Sequence, residues 1–268
     1  MRGLALEGGG AKGAYHIGVV KALLENGCEL DGFAGTSIGA INSAMLAQGD
    51  FSKATELWAK ISMDEVFEAE DRLLIQPPSL KELRADAELP ASMRKTLARV
   101  IADRGISTNR MKAMLEKYID EERIRRSRKG FGLVTVSVKE RRPYELMLAD
   151  IPQGQLVDYI MASASFPGFR HERIGGNSFI DGAFYDNCPH RLLRRNGYDE
   201  IIVVRTRAPG VFRRVAEGSS ISVIEPREDL GEMLRFSPEN SAANMQRGYR
   251  DGLKFMADSR GERYMETA

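Results

Sequence analysis

The spacing of apolar positions along the 268-residue chain changes several times, and each change marks an element. Leu4-Ala5-Leu6 is a short apolar run ended by three glycines, the pattern of a buried strand. From Ala14 to Asn26 the period becomes helical. Ile17, Val20 and Leu24 share one face, and Gly27 stands where a C-terminal glycine cap belongs. Asp31 to Thr36 predicts a second short strand, and Ile38, Ile41 and Met45 a second helix that stops near Gly49. This β-α-β-α opening implies parallel strands joined by helical crossovers.

Residues 51–128 carry no strand pattern and read as a charged helical excursion, broken at Pro77-Pro78 and Pro90. One apolar stripe is Met93, Leu97, Val100 and Ile101. A second is Met111, Leu115, Tyr118 and Ile119, with Ser107 or Thr108 as its cap. Strands are expected at Phe131–Val138, Tyr144–Leu148, Ser178–Ile180, Glu200–Arg205 and Ser222–Ile224. Helices are expected at Leu156–Ser163, after Pro189, and near Ala242–Met256. The expectation is a single α/β domain over residues 1–268. It has a mostly parallel central sheet flanked by helices, 51–128 as an insertion that could act as a lid, and 210–268 as an extension.

Composition narrows the classes. Apolar residues make up 43% of the chain, enough for a sizeable core. Lys plus Arg number 39 and Asp plus Glu 38, so no global charge draws the chain to nucleic acid. Cys28 and Cys188 are the only cysteines, which is neither a disulfide framework nor a metal site, and suits a reducing compartment. No apolar run reaches membrane-spanning length, and MRGLALEGGG lacks the long apolar stretch of a secretory leader. A cytoplasmic protein is expected, either soluble or peripheral at a membrane surface.

Three stretches carry candidate chemistry. Gly8-x-Gly10-x-x-Gly13 lies on a strand-to-helix turn, where converging backbone N–H groups make an anion cradle. With Asp31 further on it also satisfies a dinucleotide pattern, so phosphate and oxyanion remain alternative guests. Gly35-Thr36-Ser37-Ile38-Gly39 is G-x-S-x-G between a strand and a helix, the setting that pushes a serine out of a sheet as a nucleophile. Asp181-Gly182-Ala183 releases a carboxylate from a strand end into small residues. It can meet Ser37 if their strands are neighbours, and it reads equally as a surface turn. His16, His171 and His190 have no triad-like context and read as structural.

In combination and order these stretches resemble the patatin-like phospholipase family: a glycine-rich loop with Lys12 where many relatives carry Arg, a G-x-S-x-G elbow, and an Asp-Gly-Ala. Ala162–Phe169 resembles the Ala-Ser block before that Asp, and Asn187 and Pro189 the Asn-x-Pro after it. The resemblance implies a three-layer α/β sandwich and a Ser37-Asp181 dyad that works without histidine, cofactor or metal. It implies an oxyanion hole of Gly8, Gly9 and Gly10, with Ile38 N–H as an addition and Lys12, Gly13, Gly35, Gly39 and Gly182 in support. The implied substrate is a lipid or other acyl ester. An acyltransferase on the same site and a catalytically silent lipid-binding protein are the alternatives. Basic runs at Arg123–Lys129 and Arg213-Arg214 could meet lipid headgroups, or could be solvated helix ends. Oligomeric state is not legible.

Overall fold

A computed structural model describes residues 1–75, 105–215 and 220–266. Its described strands form one sheet: β1 (Arg2–Leu6), β2 (Gly32–Thr36), β3 (Gly130–Ser137), β4 (Arg142–Met147), β5 (Arg173–Ile174), β6 (Asn177–Asp181), β7 (Glu200–Val204) and β8 (Ile221–Ile224). The order is β5-β6-β3-β2-β1-β7-β8, with β4 also paired to β3. The run from β3 to β8 is parallel, and β4, β5 and β6 are antiparallel additions.

Alternate residues of the central strands build two cores. Leu4, Leu6, Phe33, Leu133, Ile202 and Val204 face one side; Ala5, Ala34, Val134, Ile201 and Val203 face the other. The first and larger core is covered by α1 (Ala14–Glu25), α2 (Ile38–Ala47) and α3 (Phe51–Lys60), whose buried residues share that cluster. The remaining described helices are α4 (Met63–Val66), α5 (Arg72–Ile75), α6 (Asn109–Tyr118), α7 (Glu121–Arg126), α8 (Leu156–Ser163), α9 (His190–Arg195) and α10 (Pro238–Glu266). Leu192 and Leu193 of α9 pack in the second core, which completes a helix–sheet–helix sandwich.

β3 is the strand that matters most for the site. β4 pairs with Gly132–Ser137 along one of its edges. On the other edge β2 occupies Gly130–Val134 and β6 occupies Thr135–Ser137. β2 and β6 therefore approach each other head-on along one template, and their carboxyl ends meet.

Several expectations shift. Leu24 was expected on the buried face of α1 but is 44% exposed, whereas nearly all of the helix before it is buried. The cause is α10, which packs on the outer side of α1. Gly18 and Gly248 let the backbones approach so closely that a Cβ on either would overlap a carbonyl of the other helix. The last helix is correspondingly longer than its expected span. The Met111–Leu115–Ile119 face is buried as expected, with Thr108 at the N-cap position; the Met93–Ile101 stripe lies outside the described residues. Both cysteines are buried, and neither forms a disulfide among the described residues. No helix among the described residues is long and apolar enough to cross a membrane.

Candidate active site

β2 ends at Thr36 and α2 starts at Ile38, so Ser37 alone makes the reversal. It does so at φ 57° and ψ −125°, a conformation that costs a non-glycine residue about 1–3 kcal/mol. The surroundings hold it there. Ser37 N–H donates to Ser163 Oγ at 2.9 Å, and that hydroxyl donates to Val134 O at 2.6 Å. Ala40 and Ile41 N–H close on Ser37 O at 2.9 and 3.3 Å. The two glycines of the motif supply space: a Cβ on Gly35 would overlap the backbone of Gly39, and one on Gly39 would overlap the Leu6 carbonyl.

Asp181 is the last residue of β6 and pairs with Thr135, while Thr36 pairs with the preceding Val134. The expected meeting of Ser37 and Asp181 thus comes from two strands end to end on β3, not from parallel neighbours. Gly182 is needed where they converge, since a Cβ there would overlap Val134 O. Asp181 N–H donates to Ser165 O at 2.9 Å, and Asp181 Oδ1 accepts from Ala183 N–H at 2.8 Å. The residue is 1% exposed, which rules out the surface-turn reading. Burial pushes its carboxyl up to about 6, against the opposing pull of the Ala183 N–H and the Ser37 hydroxyl.

Between β1 and α1 the glycine loop passes through Gly9 at φ 148° and Gly10 at φ 56°. A Cβ on Gly9 would lie 2.6 Å from Thr206 Oγ1, and one on Gly10 would overlap Met233 O, which accepts Ala11 N–H at 2.7 Å. Gly13 is equally confined, its Cβ falling 2.5 Å from Ile38 Cγ1. No acceptor among the described residues takes the N–H of Gly9 or Gly10. Gly8 departs from expectation: its N–H donates to Asn187 O at 2.9 Å and is spent on holding the loop. Lys12 lies on the short 3-10 turn Gly10–Gly13 between the glycine loop and α1, and its N–H donates to Gly9 O at 3.2 Å.

Sequence reasoning missed two residues that hold these parts together, Glu7 and Asn42, and gave a third, Asn187, no structural role. Glu7 is fully buried at the end of β1. Its carboxylate accepts Thr206 N–H at 2.6 Å and Arg207 N–H at 2.8 Å, and pairs with Arg205 at 3.1 Å. A charged residue directly after an apolar strand was its signal. Asn42, inside α2, donates to Gly13 O at 2.9 Å and accepts Trp58 Nε1–H at 2.9 Å, which ties the elbow helix to the glycine loop. The Asn187 side chain packs against Gly8, where a Cβ would overlap its Oδ1.

Gly9, Gly10, Ser37 and Asp181 line one cavity. Its remaining walls are largely apolar, among them Ile38, Ile41, Phe67, Met111, Phe169 and Phe236. Phe67 stands 5.7 Å from Phe169 and 6.0 Å from Phe236, ring centre to ring centre. None of the three histidines lines it. His16 Nδ1 accepts from the Asn42 Nδ2–H at 3.2 Å, and burial drops its pKa to about 3, so it is neutral. Asp31 does not serve the glycine loop. It precedes β2, at the far edge of the sheet, and accepts Arg2 N–H at 2.7 Å. The dinucleotide reading loses its ribose ligand with it.

The likenesses to known proteins agree with this geometry. The family model described as "Patatin-like phospholipase" matches residues 4–194. Lysophospholipase NTE1 of Cryptococcus neoformans is 28% identical over 203 residues, covering 75% of this chain and 11% of that protein. Patatin-like phospholipase domain-containing protein 6 of Homo sapiens is 46% identical over 209 residues, 75% of this chain and 13% of that protein. The chain thus spans only a small part of these relatives' length. Among solved structures, VipD from Legionella pneumophila superposes with a TM-score of 0.59 at 16% identity, over 96% of this chain and 67% of that one, a likeness of fold. With both the match over most of its length and the elbow and loop in place, the chain belongs to the patatin-like phospholipase family.

Proposed function

We propose that the chain is a serine acyl hydrolase that cleaves lipid esters with Ser37 and Asp181. The observation that carries this is the convergence of a strained serine, a buried carboxylate with a raised pKa and two uncommitted N–H groups on one cavity with otherwise apolar walls. Asp181 accepts the Ser37 proton as Oγ attacks the ester carbonyl. The N–H groups of Gly9 and Gly10 receive the oxyanion, and Ile38 N–H, orphaned at the first position of α2, is placed to assist. The alcohol leaves with the proton from Asp181. Water then attacks the acyl-serine, gives its proton to Asp181, and Ser37 recovers that proton as the carboxylic acid departs.

An ordinary Asp, near 3.9, is a weak base for this work. Raised to about 6, Asp181 is still ionised at neutral pH yet takes a proton more readily. The apolar walls suit an acyl chain, and the names of the lysophospholipase relatives point the same way. A location peripheral to a lipid surface follows from such a substrate.

Labelling with a fluorophosphonate ester, followed by peptide mass analysis, tests the reading. The expected result is one adduct, on the peptide containing Ser37, lost in Ser37→Ala, with hydrolysis of acyl esters by the unlabelled protein only. An adduct at another serine with ester hydrolysis intact would overturn it.

A further inference from the structure

Around the mouth of the cavity the lining becomes exposed without becoming polar. Phe166, Ala183, Pro209, Met233 and Leu234 line the cavity and are each at least partly exposed. Just outside stand Phe184, 54% exposed, and Val211, 44% exposed. Phe184 lies on the turn Gly182–Phe184 that directly follows Asp181. The two side chains are mounted on backbone that is tied together. Val211 N–H donates to Ala183 O at 2.8 Å, and Asn187 N–H to Val211 O at 2.7 Å. Single exposed apolar residues are ordinary on protein surfaces, but several from separate loops around one opening form a patch of the kind that meets a partner.

The charges around this collar differ from those of the basic run singled out in the sequence. In that run Arg123 pairs with Asp50, Arg125 with Glu121 and Arg126 with Glu122, and Lys129 donates to Leu30 O. Those four cations are committed within the fold, whereas Arg128 of the same run is exposed and has no carboxylate partner among the described residues. Arg214, three residues after Val211, and Arg235, beside Leu234, are exposed and have no carboxylate partner among the described residues. Glu232 is an exposed acid on the same rim.

We infer that this collar is the face by which the protein docks on an anionic lipid surface: Phe184 and Val211 enter the interfacial layer, and Arg214 and Arg235 meet headgroup phosphates. An acyl chain then reaches the cavity along apolar side chains instead of crossing water. The inference rests on the hydrolase reading for the identity of the substrate, but the docking step itself is measurable without turnover.

The test uses the whole chain. Co-sedimentation is measured with vesicles of phosphatidylcholine alone and with phosphatidylglycerol added, for the wild type, Phe184→Asp, Val211→Asp and Arg214→Glu. Hydrolysis of a monomeric short-chain p-nitrophenyl ester is measured beside it. The wild type should bind the anionic vesicles more tightly. Each apolar-to-Asp change should weaken that binding about tenfold or more. Arg214→Glu should remove most of the preference for the anionic lipid. Hydrolysis of the soluble ester should stay within about twofold throughout. Wild type that ignores both vesicles, or Asp and Glu variants that bind as the wild type does, would overturn the inference. If the wild type binds vesicles through these residues but hydrolyses no ester, the hydrolase reading fails and the docking face stands.

Discussion

Two glycine-rich turns flank the site, and they use glycine in opposite ways. In the first, the backbone itself needs glycine: Gly9 and Gly10 take positive φ, and their uncommitted N–H groups are the chemical product of that conformation. In the second, Gly35 and Gly39 have ordinary φ values and are there only because neighbouring backbone occupies the place of a side chain. The positive φ falls instead on Ser37. In the first turn glycine takes the positive φ without steric cost and leaves two N–H groups free; in the second the strain falls on the proposed nucleophile, Ser37, while the packing glycines carry none. The same spacing of glycines in sequence can mark a reactive backbone or a tight fit.

Substitutions in the two turns should separate their roles. The largest effect is expected for Ser37→Ala, a fall of at least ~10³-fold in kcat/KM for an acyl ester with the fold retained by circular dichroism. Gly9→Ala should follow, with a loss of about 10²–10³ in kcat. A Gly9 variant with full activity would remove the first turn from the chemistry. Asp181→Asn should lose activity as well but gain stability. The carboxyl is raised in the folded state, so its stabilising contribution is complete below about 3.8 and is lost as pH rises through about 6. Removing the charge should therefore raise the unfolding free energy at pH 8 by up to about 3 kcal/mol, with little change at pH 3, as read by urea titration. Gly39→Ala should have the smallest catalytic signature. Overlap with the Leu6 carbonyl is expected to lower stability by about 1–3 kcal/mol, with activity falling only as the folded fraction falls.

Local pattern was legible in the sequence, and long-range partnership was not. The β-α-β-α opening and the elbow followed from apolar spacing and glycine placement, because both are set within a few residues. The burial of α1 on nearly all sides could not be read from its own period, since the covering helix, α10, begins more than two hundred residues later. The antiparallel arrival of β6 was hidden for the same reason: a strand's direction is fixed by its partner. Ser37 and Asp181, which the fold brings to one cavity, stood out in the sequence by residue type and context. That the Gly8 N–H is already engaged could not be read, because its acceptor, Asn187 O, is remote in sequence. Asn42 is an amide within a helix whose other residues are mostly apolar or small, and only the fold shows Gly13 and Trp58 on either side of it.

The most direct test of the central claim is the pH dependence of kcat/KM for a soluble acyl ester, taken on the wild type and on Asp181→Asn. With Asp181 as the base, the wild-type profile should rise through a single ionisation near 6 and then level, because the free carboxylate is the active form. Asp181→Asn should lie near background with that step gone. A variant that keeps the same step, or keeps most of its activity, would show that another group takes the Ser37 proton and would contradict the dyad.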